Sequence, residues 1–120
     1  DDIAAVVAVC KPAGVLVKVI FETCYLNAEE IIQTTELCVS CGADFVKTST
    51  GFGSGGATEE AVRLMIETAR GRIQVKPSGG IRDRKTALKY LEMGATRLGT
   101  NYTASEVLVT GGISNAHSGY

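Results

Sequence analysis

Two short β-prone runs, Ala43-Asp44-Phe45-Val46 and Ile73-Gln74-Val75, each end in a lysine and then give way to small, hydroxyl- and glycine-rich residues. Lys47 leads into Thr48-Ser49-Thr50-Gly51, and Lys76 into Pro77-Ser78-Gly79-Gly80. A lysine that follows buried strand residues sits at the wall of the fold, where loss of water lowers the pKa of its ammonium. One such lysine can snorkel to solvent. Two at matching places in successive units point instead to a shared pocket. On neighbouring parallel strands the two amines face each other, each makes the other harder to protonate, and a neutral amine is a nucleophile.

The rest of the chain supplies units that would put those strands side by side. Asp1 to Lys11 reads as a helix opened by two aspartates and closed by Pro12 and Gly14. Val15 to Glu22 is nearly continuous in apolar and β-branched residues, as in a strand covered on both faces. Its alternation places Lys18, Ile20 and Glu22 on one face, either as a polar barrel interior or as a buried ion pair. Asn27 and Glu30 form a capping box for a helix of about four turns ending at Gly42. After the Lys47 strand, the Gly-rich loop Thr48 to Ala57 can cradle an anion or simply turn the chain. Thr58, with Glu59 and Glu60 behind it, starts a second helix whose inner face reads as Ala61, Leu64, Met65 and Thr68. Asp83 starts a third, with Ala87, Leu88 and Leu91 facing inward. Gly94-Ala95-Thr96-Arg97-Leu98-Gly99 repeats the pattern of Gly42-Ala43-Asp44-Phe45-Val46-Lys47, so that Gly99 takes the slot of Lys47. Strand, helix, strand units of this size argue for a parallel sheet or barrel, with the chemistry at the C-terminal ends of the strands.

Composition removes several classes of function. A formal net charge of −1 with no clustered basic face argues against nucleic-acid or anionic-membrane partners. No run of about 18 apolar residues is present, and a cytoplasmic setting is expected. Cys10, Cys24, Cys38 and Cys41 are too irregularly spaced for a disulfide framework. The Cys38-Val39-Ser40-Cys41 motif falls at the end of a helical pattern, which suits packing better than redox or zinc chemistry.

Lys47-Thr48-Ser49-Thr50-Gly51-Phe52-Gly53 with Gly56-Ala57-Thr58, Val75-Lys76-Pro77-Ser78-Gly79-Gly80-Ile81-Arg82, and Gly94 to Thr100 together resemble the deoxyribose-phosphate aldolases. The likeness runs from about Val15 to about Asn101. It implies an α/β fold of the (β/α)8 TIM-barrel family. Since a whole barrel takes roughly 200–250 residues, the chain would be a single domain supplying the C-terminal half. The resemblance also implies class I aldolase chemistry, the reversible cleavage of 2-deoxy-D-ribose 5-phosphate to acetaldehyde and D-glyceraldehyde 3-phosphate, with no metal and no cofactor. Lys47 would form the Schiff base, Lys76 would keep it neutral and shuttle protons, and Lys18 would line the pocket. Thr50, Gly51, Gly79, Gly80, Gly99, Thr100 and Asn101 would hold the substrate and its phosphate.

Two departures accompany that likeness. The family's serine-rich segment is replaced by Thr100-Asn101-Tyr102-Thr103-Ala104-Ser105, and the family's proton-relaying aspartate would lie before Asp1. The tail, residues 103–120 with the single histidine His117, is expected to be mobile. The competing expectation is a catalytically incomplete half-barrel that only binds a sugar phosphate or other anion. Another class I aldolase or transaldolase would share the lysines but not the loops. In either case the unpaired strand edges predict a homo-oligomer or association with the missing half of the barrel.

Overall fold

A computed structural model describes residues 2–51 and 53–100. Helix α1 (Asp2–Cys10) and a 3-10 turn (Lys11–Ala13) precede strand β1 (Lys18–Ile20). Helix α2 (Ala28–Cys41), strand β2 (Phe45–Lys47), helix α3 (Glu59–Ala69), strand β3 (Gln74–Lys76) and helix α4 (Arg84–Met93) then alternate. The three strands are parallel in the order β1-β2-β3.

The helix starts follow the expected side-chain chemistry. Asn27 accepts the Glu30 N–H at 2.8 Å while Glu30 accepts the Asn27 N–H at 3.0 Å, a complete capping box. Thr58 accepts the Ala61 N–H at 3.1 Å, and Asp83 accepts the Thr86 N–H at 2.8 Å. Helix α2 stops where Gly42 turns left-handed at φ 81°.

β1 is shorter than the run of apolar residues that announces it. At its start the Val17 carbonyl accepts both the Asp44 and Phe45 N–H groups, and the Val17 N–H goes to the Asp44 carboxylate at 2.8 Å. At its end Glu22 takes a left-handed φ of 40°, which no strand can continue through. Nor, among the described residues, is β1 covered on both faces. Val17, Val46 and Val75 are buried against α2 and α3 with Ile31, Cys38, Ala61 and Met65, whereas Ile20, on the opposite face, is 42 % exposed.

Wholly buried Val46, Val62, Met65 and Ile81 each contribute about 1.5–3 kcal/mol through removal from water. The inner face of α3 is Ala61, Val62, Met65 and Ala69, so Val62 and Ala69 replace the expected Leu64 and Thr68. On α4 the inner residues are Ala87 and Tyr90, three apart, packed with Val62, Ile81 and Ala95. The expected inner leucines, Leu88 and Leu91, lie on the adjoining row and are 45 % and 43 % exposed.

The run from Gly94 to Gly99 forms no ladder of its own among the described residues. It meets β3 through the Thr96 N–H, which donates to the Val75 carbonyl at 3.3 Å, and just past β3 through a parallel bridge, Ser78 to Gly99. Gly99 therefore lies beside a residue two positions past Lys76, not level with Lys47 and Lys76 as the repeat suggested. Asn101 and the tail at 103–120, including His117, lie outside the described residues.

Candidate active site

The sheet register brings the two strand-end lysines level: Lys47 pairs with Lys76, and Ile20 with Lys47. Residues paired in register point to the same face, and alternation puts Lys18 there too. Lys18, Lys47 and Lys76 thus share the face that the helices leave bare. Burial holds the Lys76 ammonium below the ordinary lysine pKa; the charges of Lys18 and Lys47, a hydrogen bond with Lys18 and the charge of Arg97 push the same way. Arg97 is stacked 4.4 Å over the Phe45 ring on this face.

Glu22 does not pair with Lys18. Its carboxylate accepts the Thr50 N–H, and that bond, with one to the Thr50 side chain, holds the carboxyl below its usual range, aided by the Lys47 charge. The left-handed turn at Glu22 aims the side chain across to the loop after β2. Thr50 is thereby tied to the end of β1 beside the lysine face. A Cβ on Gly53 would overlap the same carboxylate, so the loop lies directly against it.

The glycine turns form the second part of the site. Gly51, Gly53, Ser54, Gly55, Gly56, Gly80 and Arg82 line a cavity of about 220 Å³. Gly79 and Gly80 are successive left-handed residues, φ 87° and 75°, ahead of α4, an arrangement that turns backbone N–H groups toward an anion. A Cβ on Gly56 would lie 2.5 Å from the Gly79 carbonyl, so the two turns touch through bare backbone. Ala57 N–H bonds to both the Ser78 and Gly79 carbonyls, at 2.9 and 3.1 Å. Gly99 donates to the Pro77 carbonyl at 2.8 Å, and a Cβ there would come within 2.8 Å of the Ser78 Cβ.

Of the expected site residues, Gly51 and Gly80 face one cavity, Gly79 backs it, and Thr50 adjoins it through Glu22. Gly99 instead closes against Ser78. Arg82, which the sequence reading passed over, lines the cavity with a buried Nε that has no hydrogen-bond partner. Its signal was an arginine two residues past a glycine pair at the start of a helix. Arg97 was missed as well; it stands on the lysine face, and its signal was its place in the repeat, level with Phe45 and two residues before Gly99. Asp44 and Asp83 serve as caps, at Val17 and Thr86.

Cys10, Cys24, Cys38 and Cys41 form no disulfide among the described residues. Cys38 is fully buried, and burial, with Cys41 adding to it, pushes its thiol up to about 11. A thiol so hard to ionise is a packing residue and a poor nucleophile. No helix among the described residues is long and apolar enough to cross a membrane.

Residues 1–114 match the model of the DeoC/LacD family aldolases. The chain belongs to this family. It is 58% identical over 103 residues to the deoxyribose-phosphate aldolase of Carboxydothermus hydrogenoformans, covering 84% of this chain and 45% of that protein. It is 55% identical over 115 residues to that of an Exiguobacterium strain, covering 96% and 50%. A solved structure described as the unique tetrameric structure of the deoxyribose phosphate aldolase from Aeropyrum pernix superposes with a TM-score of 0.78 at 32% identity, covering 90% and 46%. The chain spans about half the length of the curated relatives it matches. The DeoC/LacD relationship and the parallel α/β sheet place it in the (β/α)8 barrel class, with roughly half a barrel present.

Proposed function

We propose that Lys47 is a Schiff-base nucleophile, and that the aldolase to which this chain contributes reversibly cleaves 2-deoxy-D-ribose 5-phosphate to acetaldehyde and D-glyceraldehyde 3-phosphate. The observation that carries this reading is the register of Lys47 with Lys76, beside a glycine-lined cavity of about 220 Å³.

Neutral Lys47 Nζ adds to the sugar's aldehyde carbon, and loss of water leaves a protonated imine. That imine accepts the electron pair of the breaking carbon–carbon bond, so no free carbanion forms. Glyceraldehyde 3-phosphate leaves, the enamine is protonated, and water releases acetaldehyde and the amine. Lys76, its ammonium disfavoured by burial and by Lys18 and Lys47, exchanges the protons these steps need. Lys18 and Arg97 add positive charge to the face. The phosphate is held by the backbone N–H groups of Gly51, Gly79 and Gly80 and by the unpaired Arg82 Nε, with Thr50, Gly99 and Thr100 shaping the rim and Asn101 a further donor.

The exposed Val15, Leu16 and Ile20, at 55, 59 and 42 %, support association with further copies or with the rest of a barrel. Free thiols fit a reducing, cytoplasmic setting.

Borohydride trapping tests the proposal. Incubation with acetaldehyde, followed by reduction and peptide mapping, should add mass at Lys47 and not at Lys18 or Lys76. An adduct elsewhere, or none in folded protein, refutes the assignment. Trapping without deoxyribose-phosphate turnover by this chain, with turnover restored by a segment supplying the missing acid, is the expected pattern. Turnover at about 1 per second or more by the chain alone would show that nothing essential is missing.

A further inference from the structure

The ladder between β2 and β3 changes character one residue past Lys47. Thr48 is fully buried, and every polar atom it owns is engaged. Its N–H donates to the Lys76 carbonyl at 3.2 Å, continuing the sheet. In a regular parallel pair the Ser78 N–H would next donate to the Thr48 carbonyl. That carbonyl is instead turned to the other side, where it accepts the Thr23 N–H at 2.9 Å. The Thr48 hydroxyl takes its place, accepting the Ser78 N–H at 2.9 Å and donating to the Ser78 carbonyl at 2.9 Å. Ser49 Oγ donates to the same hydroxyl at 3.3 Å. One threonine thus joins the chain leaving β1, the end of β2 and the end of β3.

Serine and threonine hydroxyls commonly cap their own backbone locally. Here the bond runs between residues thirty apart, and it closes the sheet just beyond the lysine pair. We propose that the Thr48 hydroxyl is a positioning residue, fixing the separation of the Lys47 and Lys76 amines by holding the ends of β2 and β3 together. The inference rests on the reading of these lysines as a working pair. A valine at 48 keeps the shape but leaves the buried Ser78 N–H without its partner, while the Ser78 carbonyl keeps only the Ala57 N–H, so the end of β3 moves off β2 to bring that N–H to water. The amines then move apart. A serine keeps the hydroxyl.

The test is the titration of the Lys76 side chain, read by NMR of the 120-residue protein labelled at lysine, in the parent, Thr48→Val and Thr48→Ser. The parent should titrate below the ordinary lysine value. Thr48→Ser should match it, and Thr48→Val should rise by about half a pH unit or more, a roughly threefold gain in proton affinity. A Thr48→Val midpoint equal to the parent's overturns the proposal even if the protein is less stable, because a merely structural threonine would change melting and leave the amine alone. An ordinary Lys76 midpoint in the parent overturns it too. Should Thr48→Val not fold, Thr48→Ala, which removes the hydroxyl without a branched side chain, decides: a raised midpoint supports the hydroxyl's role, and one equal to the parent's refutes it. Trapping with acetaldehyde and borohydride on the same samples separates the two ideas. A parent without an adduct at Lys47 defeats the aldolase reading and leaves the titration result standing. An adduct at Lys47 with an unmoved Thr48→Val titration defeats only the positioning role.

Discussion

Gly56→Ala tests whether the two glycine turns are one packed unit. Gly56 does not need a left-handed backbone, so alanine is not excluded by conformation. Its Cβ, however, would sit 2.5 Å from both the carbonyl carbon and oxygen of Gly79 and 2.8 Å from its Cα. Backbone cannot rotate away as a side-chain tip can, so the turn must retreat by about 1 Å to reach ordinary contact. Such overpacking costs about 1–3 kcal/mol. The retreat also stretches the bonds from Ala57 N–H to Ser78 and Gly79, and losing one is worth about 1 kcal/mol. Alanine restricts the unfolded chain and returns about 0.4–1 kcal/mol. The net expectation is a loss of about 2 kcal/mol, or roughly 8 °C in Tm for a chain of 120 residues. Gly80→Ala is the control: an added Cβ meets nothing within 4 Å, and only its φ of +75° is strained, a cost of about 1–2 kcal/mol. Thermal unfolding followed by far-UV circular dichroism, with and without inorganic phosphate, reads both effects. Gly56→Ala should also lose the phosphate-induced rise in Tm, because the Gly79–Gly80 turn has moved. A Gly56→Ala protein that melts with the parent and keeps its phosphate response would refute the packing argument.

Lys76→Leu should stabilise the fold at neutral pH, since burial and the charges of Lys18, Lys47 and Arg97 all disfavour the ammonium it removes. In the parent, stability should climb as pH rises from the lowered folded pKa toward the unfolded value of about 10.4, because the unfolded chain binds more protons in that window; urea midpoints at pH 7 and pH 10 that give the variant the same slope as the parent would contradict this. Asp83→Ala removes the acceptor for Thr86 N–H and its hydroxyl, at 2.8 and 3.1 Å, and should cost about 1 kcal/mol in urea unfolding, with Asp83→Ser restoring most of it; no change would mean that α4 does not depend on its cap.

The helix caps, the strand-end lysines and the glycine turns were readable because each rests on local chemistry. Asn27, Thr58 and Asp83 satisfy N–H groups three residues ahead, whatever the rest of the chain does. Long-range geometry was less readable. Counting from the Gly-Ala repeat put Gly99 level with Lys47, but its partner is Ser78, because register is set by the neighbouring strand and not by the helix-to-strand turn. Leu88 and Leu91 looked like a core face on hydrophobicity alone. Which row of α4 turns inward is decided by the space beside Val62 and Ile81, and Ala87 with Tyr90 fills it. Arg82 was passed over because an arginine's reach, unlike a strand's alternation, leaves no period in the sequence.

The lysine face is itself a product of the apolar one. Val46 and Val75 precede Lys47 and Lys76 directly, Val17 precedes Lys18, and all three valines are buried against the helices. A slip of one residue in any of these strands would drive an ammonium into that core and expose a valine, a double penalty that makes the register hard to lose. The valines therefore decide which face the amines occupy, even though no helix among the described residues covers that face. They do not decide how far apart the amines stand at the strand ends, where regular pairing stops at Lys47 and Lys76. The interactions beyond those ends, Thr48 with Ser78 and Glu22 with Thr50, are the ones left to set that spacing. Substitutions there should alter the amines' chemistry more than the fold's stability, whereas substitutions among the valines should do the reverse.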